Sequence, residues 1–155
     1  MAVSESRNVT TAELIRFGHG LIDQFATIAE DGSGAAIPFG TVMAYNHDSE
    51  KWVPFTAVDG DNGTAWPSGI YVGDDISEAT HRAGDVTDAP ILKGGLGVLV
   101  DEGKVTVTGE LTLDTVLNAT NENGDVVDYF ERTVRQALAM VGIHIENAVD
   151  ISGHQ

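Results

Sequence analysis

The chain has 155 residues, of which 42% are apolar, and eight Lys and Arg residues face 24 Asp and Glu residues for a formal net charge of −16. This length indicates a single domain, and the apolar content is sufficient for a buried core, which excludes disorder of the whole chain. The basic residues are scattered and form no patch that could displace counterions from phosphates. We therefore expect no binding to nucleic acid or to an anionic membrane.

The strong acidity of the chain has two interpretations. It keeps the protein soluble and suppresses nonspecific contacts, or it is an adaptation to a halophilic host, where molar salt shortens the Debye length to about 3 Å and screens the repulsion between carboxylates. The chain contains no cysteine, which excludes disulfides and zinc–thiolate sites. No stretch approaches the roughly 18 apolar residues of a membrane span. The polar residues 1–11 contain no signal-peptide core, so we expect a soluble protein made in the cytoplasm.

Residues 1–29 are predicted to form an N-terminal extended arm, and residues 30–155 a single β-rich domain. The arm begins with a stretch rich in Ser and Thr that shows no period. Apolar side chains then recur up to residue 29, but Gly18 and Gly20 interrupt any helix. This pattern fits either a short helix or an extended arm that ends in a strand.

The first half of the domain has the pattern of a β-hairpin. A Gly-rich turn at residues 30–35 leads to a β-rich run at 37–45, and a second run follows at 51–55 after a polar turn. Two β-rich runs separated by about five polar residues predict paired antiparallel strands.

The next segments predict further strands. A loop dense in Asp, Gly and Asn at residues 59–67 precedes a short strand at 69–72, and a polar connection follows at 74–89. The apolar run at 90–100 is punctuated by glycines, which favours a strand with a bulge or a close backbone approach. Residues 105–113 alternate between apolar and polar side chains, as a half-buried strand does.

One helix is predicted near the C-terminus. Asp125 is a candidate N-cap, and Gly142 a candidate stop. Between them, apolar residues recur three or four apart on one face, namely Val127, Phe130, Val134, Leu138 and Val141. A last short strand is predicted at residues 143–145. The fold class is therefore α+β, mostly β: a small β-rich domain with one C-terminal helix.

The search for catalytic motifs finds none. The chain contains no P-loop, HExxH, GxSxG or complete GxGxxG sequence, and Gly95-Leu96-Gly97 is interpreted as part of a packed strand. The five histidines are never four apart, and each is interpreted as a loop or surface residue, with His144 half-buried. We expect neither catalysis nor a cofactor or metal requirement.

The acidic loop at residues 59–63 resembles the start of a calcium loop. Its fifth and sixth positions, Gly63 and Thr64, do not fit an EF-hand. The loop is either a turn built from Asx and Gly residues or an irregular cation site.

The order of these features resembles the head decoration (capsid cement) proteins of lambda-like tailed viruses. The similarity covers roughly residues 30–145. It is carried by five short segments in order, namely Gly40-Thr41-Val42-Met43-Ala44, Lys51-Trp52-Val53-Pro54-Phe55, Gly69-Ile70-Tyr71-Val72, Pro90 to Gly95, and Leu138 to Ile143.

The resemblance implies a lambda-type decoration fold and a homotrimer on the outer surface of the capsid. Its partners would be the major capsid protein and two further copies of itself, with no nucleic acid and no membrane, and it would stabilise the shell against the pressure of the packaged genome. The candidate capsid contacts lie in the arm, at Val9, Thr10, Leu14, Ile15 and Phe17. The candidate trimer contacts are aromatic residues, which are enriched at interfaces but also fill cores, namely Trp52, Trp66 and Tyr71.

Two other functions fit the same residues less closely. The first is another virion assembly module, such as a tail or fibre component. The second is a small ligand-binding β-barrel whose site is assembled in space from residues that are distant in sequence.

Overall fold

The computed structural model describes residues 14–118, 123, 125 and 131–146, without the side chains of residues 16, 17 and 19. A short 3-10 helix spans Glu102–Lys104. The other regular elements of these described residues are six strands and two short α-helices. In chain order they are β1 (Ile15–Ile28), β2 (Val42–Asn46), β3 (Lys51–Pro54), β4 (Pro67–Tyr71), α1 (Glu78–Ala83), β5 (Val86–Asp101), α2 (Val134–Ala139) and β6 (Ile143–Glu146).

Five of the strands close into a barrel in the order β1-β3-β2-β4-β5, because β5 also pairs with β1. All of these pairings are antiparallel except β1–β3, where Ile28 lies opposite Trp52. The sixth strand runs parallel to β5, with Ile143 opposite Val98. The mostly β prediction is thus confirmed, although the described residues contain two short α-helices rather than one. Closure removes the exposed edges that an open sheet of this size would have.

Apolar side chains from every strand of the barrel contribute to its two hydrophobic clusters. The larger cluster contains Val42, Phe55, Ile70 and Leu92, and Leu138 from α2 packs against it, all with no exposed surface. A second cluster is formed by side chains of five strands and two loops, namely Ala26, Ile28, Ile37, Met43, Trp52, Tyr71, Ile76, Ala89 and Ile91. Each large side chain buried in this way contributes roughly 1.5–3 kcal/mol to folding.

The predicted hairpin is confirmed by the pairing of β2 with β3. Met43 lies opposite Pro54, and Asn46 opposite Lys51. The Asn46 side chain accepts hydrogen bonds from the backbone N–H groups of Asp48 and Ser49 at 2.9 and 3.2 Å. This is the local turn chemistry that the polar sequence indicates.

Residues 15–28 form a strand of the barrel. The sequence fitted either a short helix or an extended arm ending in a strand, and the structure contains the strand. β1 pairs with β5 from Ile15 opposite Val100 to Ile28 opposite Val86, with several register shifts. Gly18 has φ of +83°, and a Cβ at this position would lie 2.9 Å from the Gly97 carbonyl oxygen. The described part of the predicted arm thus belongs to the same barrel as β2, β3, β4 and β5. Residues 1–13 lie outside the described residues.

The prediction of a strand at residues 105–113 is wrong. Only Thr106 makes a bridge, to Thr41, and Gly109 turns the chain with φ of +71°. The Thr112 N–H donates to Thr115 Oγ1 at 2.8 Å. Such local side-chain bonds compete with strand pairing, so the alternating pattern here does not produce a ladder.

The predicted helix is much shorter than its apolar period indicates, and Asp125 is not its N-cap. The helix α2 begins at Val134, after a capping box in which Thr133 Oγ1 accepts from the Gln136 N–H at 3.2 Å. The Gln136 side chain accepts in return from the Thr133 N–H at 2.9 Å. Gly142, with φ of +90°, follows the helix as predicted, and β6 confirms the last strand. Residues 126–130 lie outside the described residues.

The helix α1 arises in the segment that the sequence analysis treated as a polar connection. Its N-cap is Ser77, whose hydroxyl accepts from the Thr80 N–H at 3.1 Å. Only His81 is buried among its residues, so the segment carries no apolar period from which a helix could be predicted.

Candidate interaction surface

The arm residues predicted to contact a capsid differ in burial, and only some of their side chains are described. Leu14 has no exposed surface and lies in the larger core cluster, and Ile15 is partly buried against it. Leu14 therefore packs inside its own chain and is not free to contact a partner. The backbone of Phe17 pairs with Leu99 in the β1–β5 ladder, but its side chain lies outside the described residues, as do Val9 and Thr10.

The aromatic residues predicted at a trimer interface are mainly core residues. Trp52 is 6% exposed and Tyr71 4% exposed, while Trp66 is partly buried against the larger cluster. Trp52 also meets Tyr45 edge to face, with ring centroids 5.2 Å apart. Because Trp52 and Tyr71 are already buried in the single chain, they have almost no surface left to bury against another copy.

Tyr71 gives an expected pH dependence. Its hydroxyl donates to the Asp74 carbonyl oxygen at 2.6 Å, and burial, reinforced by the nearby Asp74 and Asp75, raises its pKa to about 12. A raised folded-state pKa contributes stability that is present below pH 10 and is lost between about pH 10 and 12.

We therefore expect the Tyr71→Phe variant to be about 1 kcal/mol less stable at neutral pH, since one hydrogen bond is lost. Urea unfolding at stepped pH checks this. The gap between Tyr71→Phe and the unsubstituted chain should narrow from pH 10 to 12, and a constant gap over that range would contradict the assignment.

A group of apolar side chains remains exposed near the middle of the β1–β5 ribbon. Leu21 is 58% exposed and Leu96 92% exposed. Leu21 of β1 lies opposite Gly94 of β5. Leu96 of β5 lies opposite the residue of β1 that is two positions before Leu21. On the other side of β5, the Val141 carbonyl oxygen accepts from the Gly95 N–H at 3.1 Å.

We call this surface the ribbon patch and define it as Leu21, Leu96, Met140 and Val141. Phe25 lies four residues further along β1, after a register shift. Met140, Val141 and Phe25 are 57%, 39% and 82% exposed. Gly94 and Gly95 lie between Leu21 and the Val141 backbone and add no side chains to the patch. Groups of exposed apolar residues are typical of surfaces that bind other proteins.

The ribbon patch was not predicted from the sequence. Leu96 was interpreted as part of a packed strand because the residue lies in an apolar run. The available signal was its position between Gly95 and Gly97, since a glycine bulge turns a side chain away from the regular alternation. Gly97 indeed has a positive φ of +64° and open space at the Cβ position.

The described residues contain no arrangement suited to metal binding. No group of three or more His, Asp or Glu side chains among them could hold a metal ion. The loop at 59–63 forms local turns instead: the Asp61 carbonyl oxygen accepts from the N–H and the hydroxyl of Thr64 at 3.1 and 2.9 Å.

Among the histidines whose side chains are described, His81 differs from the surface interpretation. His81 is 1% exposed, and it lines an open cleft of about 370 Å³. His144, predicted to be half-buried, is exposed on β6.

The chain was also compared with known proteins. No family model, no curated protein and no solved structure matches it. No helix within the described part of the chain is long and apolar enough to cross a membrane.

Proposed function

We propose that this chain is a non-enzymatic virion protein that binds the outer surface of a major capsid shell as a trimer and stabilises it against genome pressure. The observation that carries the proposal is the ribbon patch, an exposed apolar surface on an otherwise acidic chain of net charge −16. An acidic protein is repelled by packaged nucleic acid, which favours the exterior of the shell.

The resemblance to head decoration proteins supports the same proposal. Four of its five segments coincide with, or overlap, the consecutive strands β2, β3, β4 and β5. The fifth covers the end of α2 and the start of β6. The quoted segments thus mark structural elements in chain order.

The two alternative functions are less well supported. The two clusters lie on opposite faces of the strands, because neighbours such as Ile70 and Tyr71 belong to different clusters. One of the two clusters therefore fills the interior of this small barrel, which disfavours a ligand-binding interior. A tail or fibre component would use the same kind of apolar surface, and only the identity of the bound partner separates that function from capsid decoration.

The contact surface in this proposal differs from the arm that the sequence indicated. Leu14 is buried in the core, so we assign the proposed capsid contact to the ribbon patch instead. A contribution of Val9 and Thr10 to capsid binding remains a prediction that lies outside the described residues.

The proposal is tested by co-sedimentation of the purified chain with undecorated capsids of the virus that encodes it. We expect saturable binding that Leu96→Asp weakens at least about tenfold, because an apolar contact is lost and a carboxylate is buried without a partner. Val116→Asp is the matched control, since Val116 is also apolar and 48% exposed but lies outside the patch, bridged to Thr133.

Equal weakening by both substitutions would assign the effect to charge alone and overturn the role of the patch. Light scattering on the unbound chain gives a second readout. A monomer that binds no capsid would overturn the proposal.

A further inference from the structure

A basic residue, Lys93, lies beside the ribbon patch on β5. Ile22 of β1 lies opposite Leu92 of β5. The preceding residue, Leu21, lies opposite Gly94, so Lys93 is the extra residue of a β-bulge. The side chains of Ile22 and Leu92 face the larger core cluster. Their neighbours Leu21 and Lys93 point to the other face of the ribbon, where both are exposed.

Lys93 forms no ion pair with any residue that the structure describes. Other basic side chains of the chain are paired: Lys51 contacts Asp85 at 2.6 Å, and Arg82 contacts Glu78 at 3.0 Å. The positive charge of Lys93 is therefore available to a partner, although the chain carries 24 acidic residues against eight basic ones.

The acidic residue of β1, Asp23, does not neutralise this charge. Its carboxylate accepts a hydrogen bond from the Phe25 N–H at 2.9 Å, which holds it against its own backbone. Asp23 lies opposite Ile91, beyond the bulge that contains Lys93. The positive charge at the edge of the ribbon patch is thus not balanced by the strand beside it.

The position of Lys93 determines which surface can cover the ribbon patch. Leu21 lies across the bulge from Lys93, and Leu96 is only three residues further along β5, so a partner that covers these leucines also contacts the lysine. Closure of the contact removes part of the hydration of the ammonium, which costs free energy if the charge stays unpaired. A carboxylate on the partner offsets this cost and fixes the register of the contact.

We infer that the ribbon patch binds an apolar capsid surface that carries an aspartate or glutamate, whose carboxylate pairs with the Lys93 ammonium while apolar side chains cover Leu21 and Leu96. This inference rests on the proposed function, in which the ribbon patch contacts the major capsid protein. Recognition then depends on one ion pair at the edge of an apolar contact.

Carbodiimide crosslinking of the chain bound to undecorated capsids tests the ion pair, because the reagent condenses a lysine amine with a carboxylate when the two groups are in contact. We expect mass spectrometry to find Lys93 joined to an Asp or Glu of the major capsid protein. The pair Lys51–Asp85 within the chain is the positive control for the reagent. Lys104 is the negative control, since it lies on the 3-10 helix beyond the far end of β5.

A Lys51–Asp85 crosslink without any crosslink between Lys93 and the capsid protein would overturn the inference. A crosslink between Lys93 and a second copy of the chain would also overturn it, and would identify the ribbon patch as a contact between copies.

Capsid binding by charge variants gives a second readout. Lys93→Glu should bind undecorated capsids at least about tenfold more weakly, because two carboxylates then face each other. Lys93→Arg keeps the charge and should bind nearly as well as the unsubstituted chain. Lys104→Glu is the matched control: it makes the same charge change at a lysine that also forms no ion pair with a described residue.

Equal capsid binding by Lys93→Glu and Lys104→Glu would overturn the inference and leave the proposed function standing. If the unsubstituted chain binds no capsid, the proposed function fails and the inference fails with it.

Discussion

Removal of residues 1–28 is expected to abolish folding of the chain. β1 lies between β3 and β5 and closes the barrel, pairing with β5 along its whole length. Without it, the hydrophobic clusters lose Leu14, Ala26 and Ile28, which are at most 5% exposed, and β5 becomes a long open edge that favours aggregation. We expect no cooperative thermal transition by circular dichroism and recovery mainly in the insoluble fraction.

A chain that lacks only residues 1–13 is the control, because this deletion leaves every described strand intact. It should melt cooperatively within a few degrees of the complete chain. A fragment of residues 29–155 that melts cooperatively would show that the first 28 residues form a separable arm, and would contradict the assignment of β1 to the barrel.

Gly40→Ala is expected to be a strongly destabilising substitution at a turn. Gly40 has φ of +88°, and a Cβ there would collide with the Lys104 carbonyl oxygen. The backbone cannot easily move aside, because the Gly40 N–H donates to Tyr71 and its carbonyl accepts from Thr106, both at 2.8 Å. Left-handed strain alone costs about 1–3 kcal/mol, and the collision adds to it. We expect a loss of at least about 3 kcal/mol in the free energy of unfolding, measured by urea denaturation.

Gly109→Ala provides the matched control for this collision. Gly109 also has a positive φ, +71°, but nothing lies within 4 Å of its Cβ position. Its substitution should therefore cost about 1 kcal/mol from backbone strain. Similar losses for both variants would mean that the contact between Gly40 and Lys104 does not constrain the turn.

Some elements whose signals are local were predicted well. The β2–β3 hairpin depends on two neighbouring runs and on the Asn46 turn, and both are visible in the sequence. Gly142, which follows α2, is likewise a local signal that is visible in the sequence. The long pairing of β1 with β5 joins residues about 60 to 85 positions apart, so no local pattern specifies it, and Gly18 indicates a helix break without revealing that it faces Gly97 across the ladder.

The surface residues were harder to predict, because burial depends on neighbours that are distant in sequence. Leu96 was interpreted as part of a packed strand but is 92% exposed, whereas Leu14 was predicted to contact a capsid but is fully buried. His81 lies in a polar stretch, but it is buried against Gly34, where any Cβ would collide with the imidazole. Glycine at position 34 thus leaves room for the His81 imidazole beside the cleft, and no sequence motif predicts this arrangement.

The proposed capsid-decoration function is tested most directly by electron cryomicroscopy of undecorated capsids incubated with the chain. The proposal predicts saturable trimeric density on the outer surface, with the ribbon patch at the capsid contact. Capsids that carry no added density at saturating protein, or density on the inner surface, would contradict it.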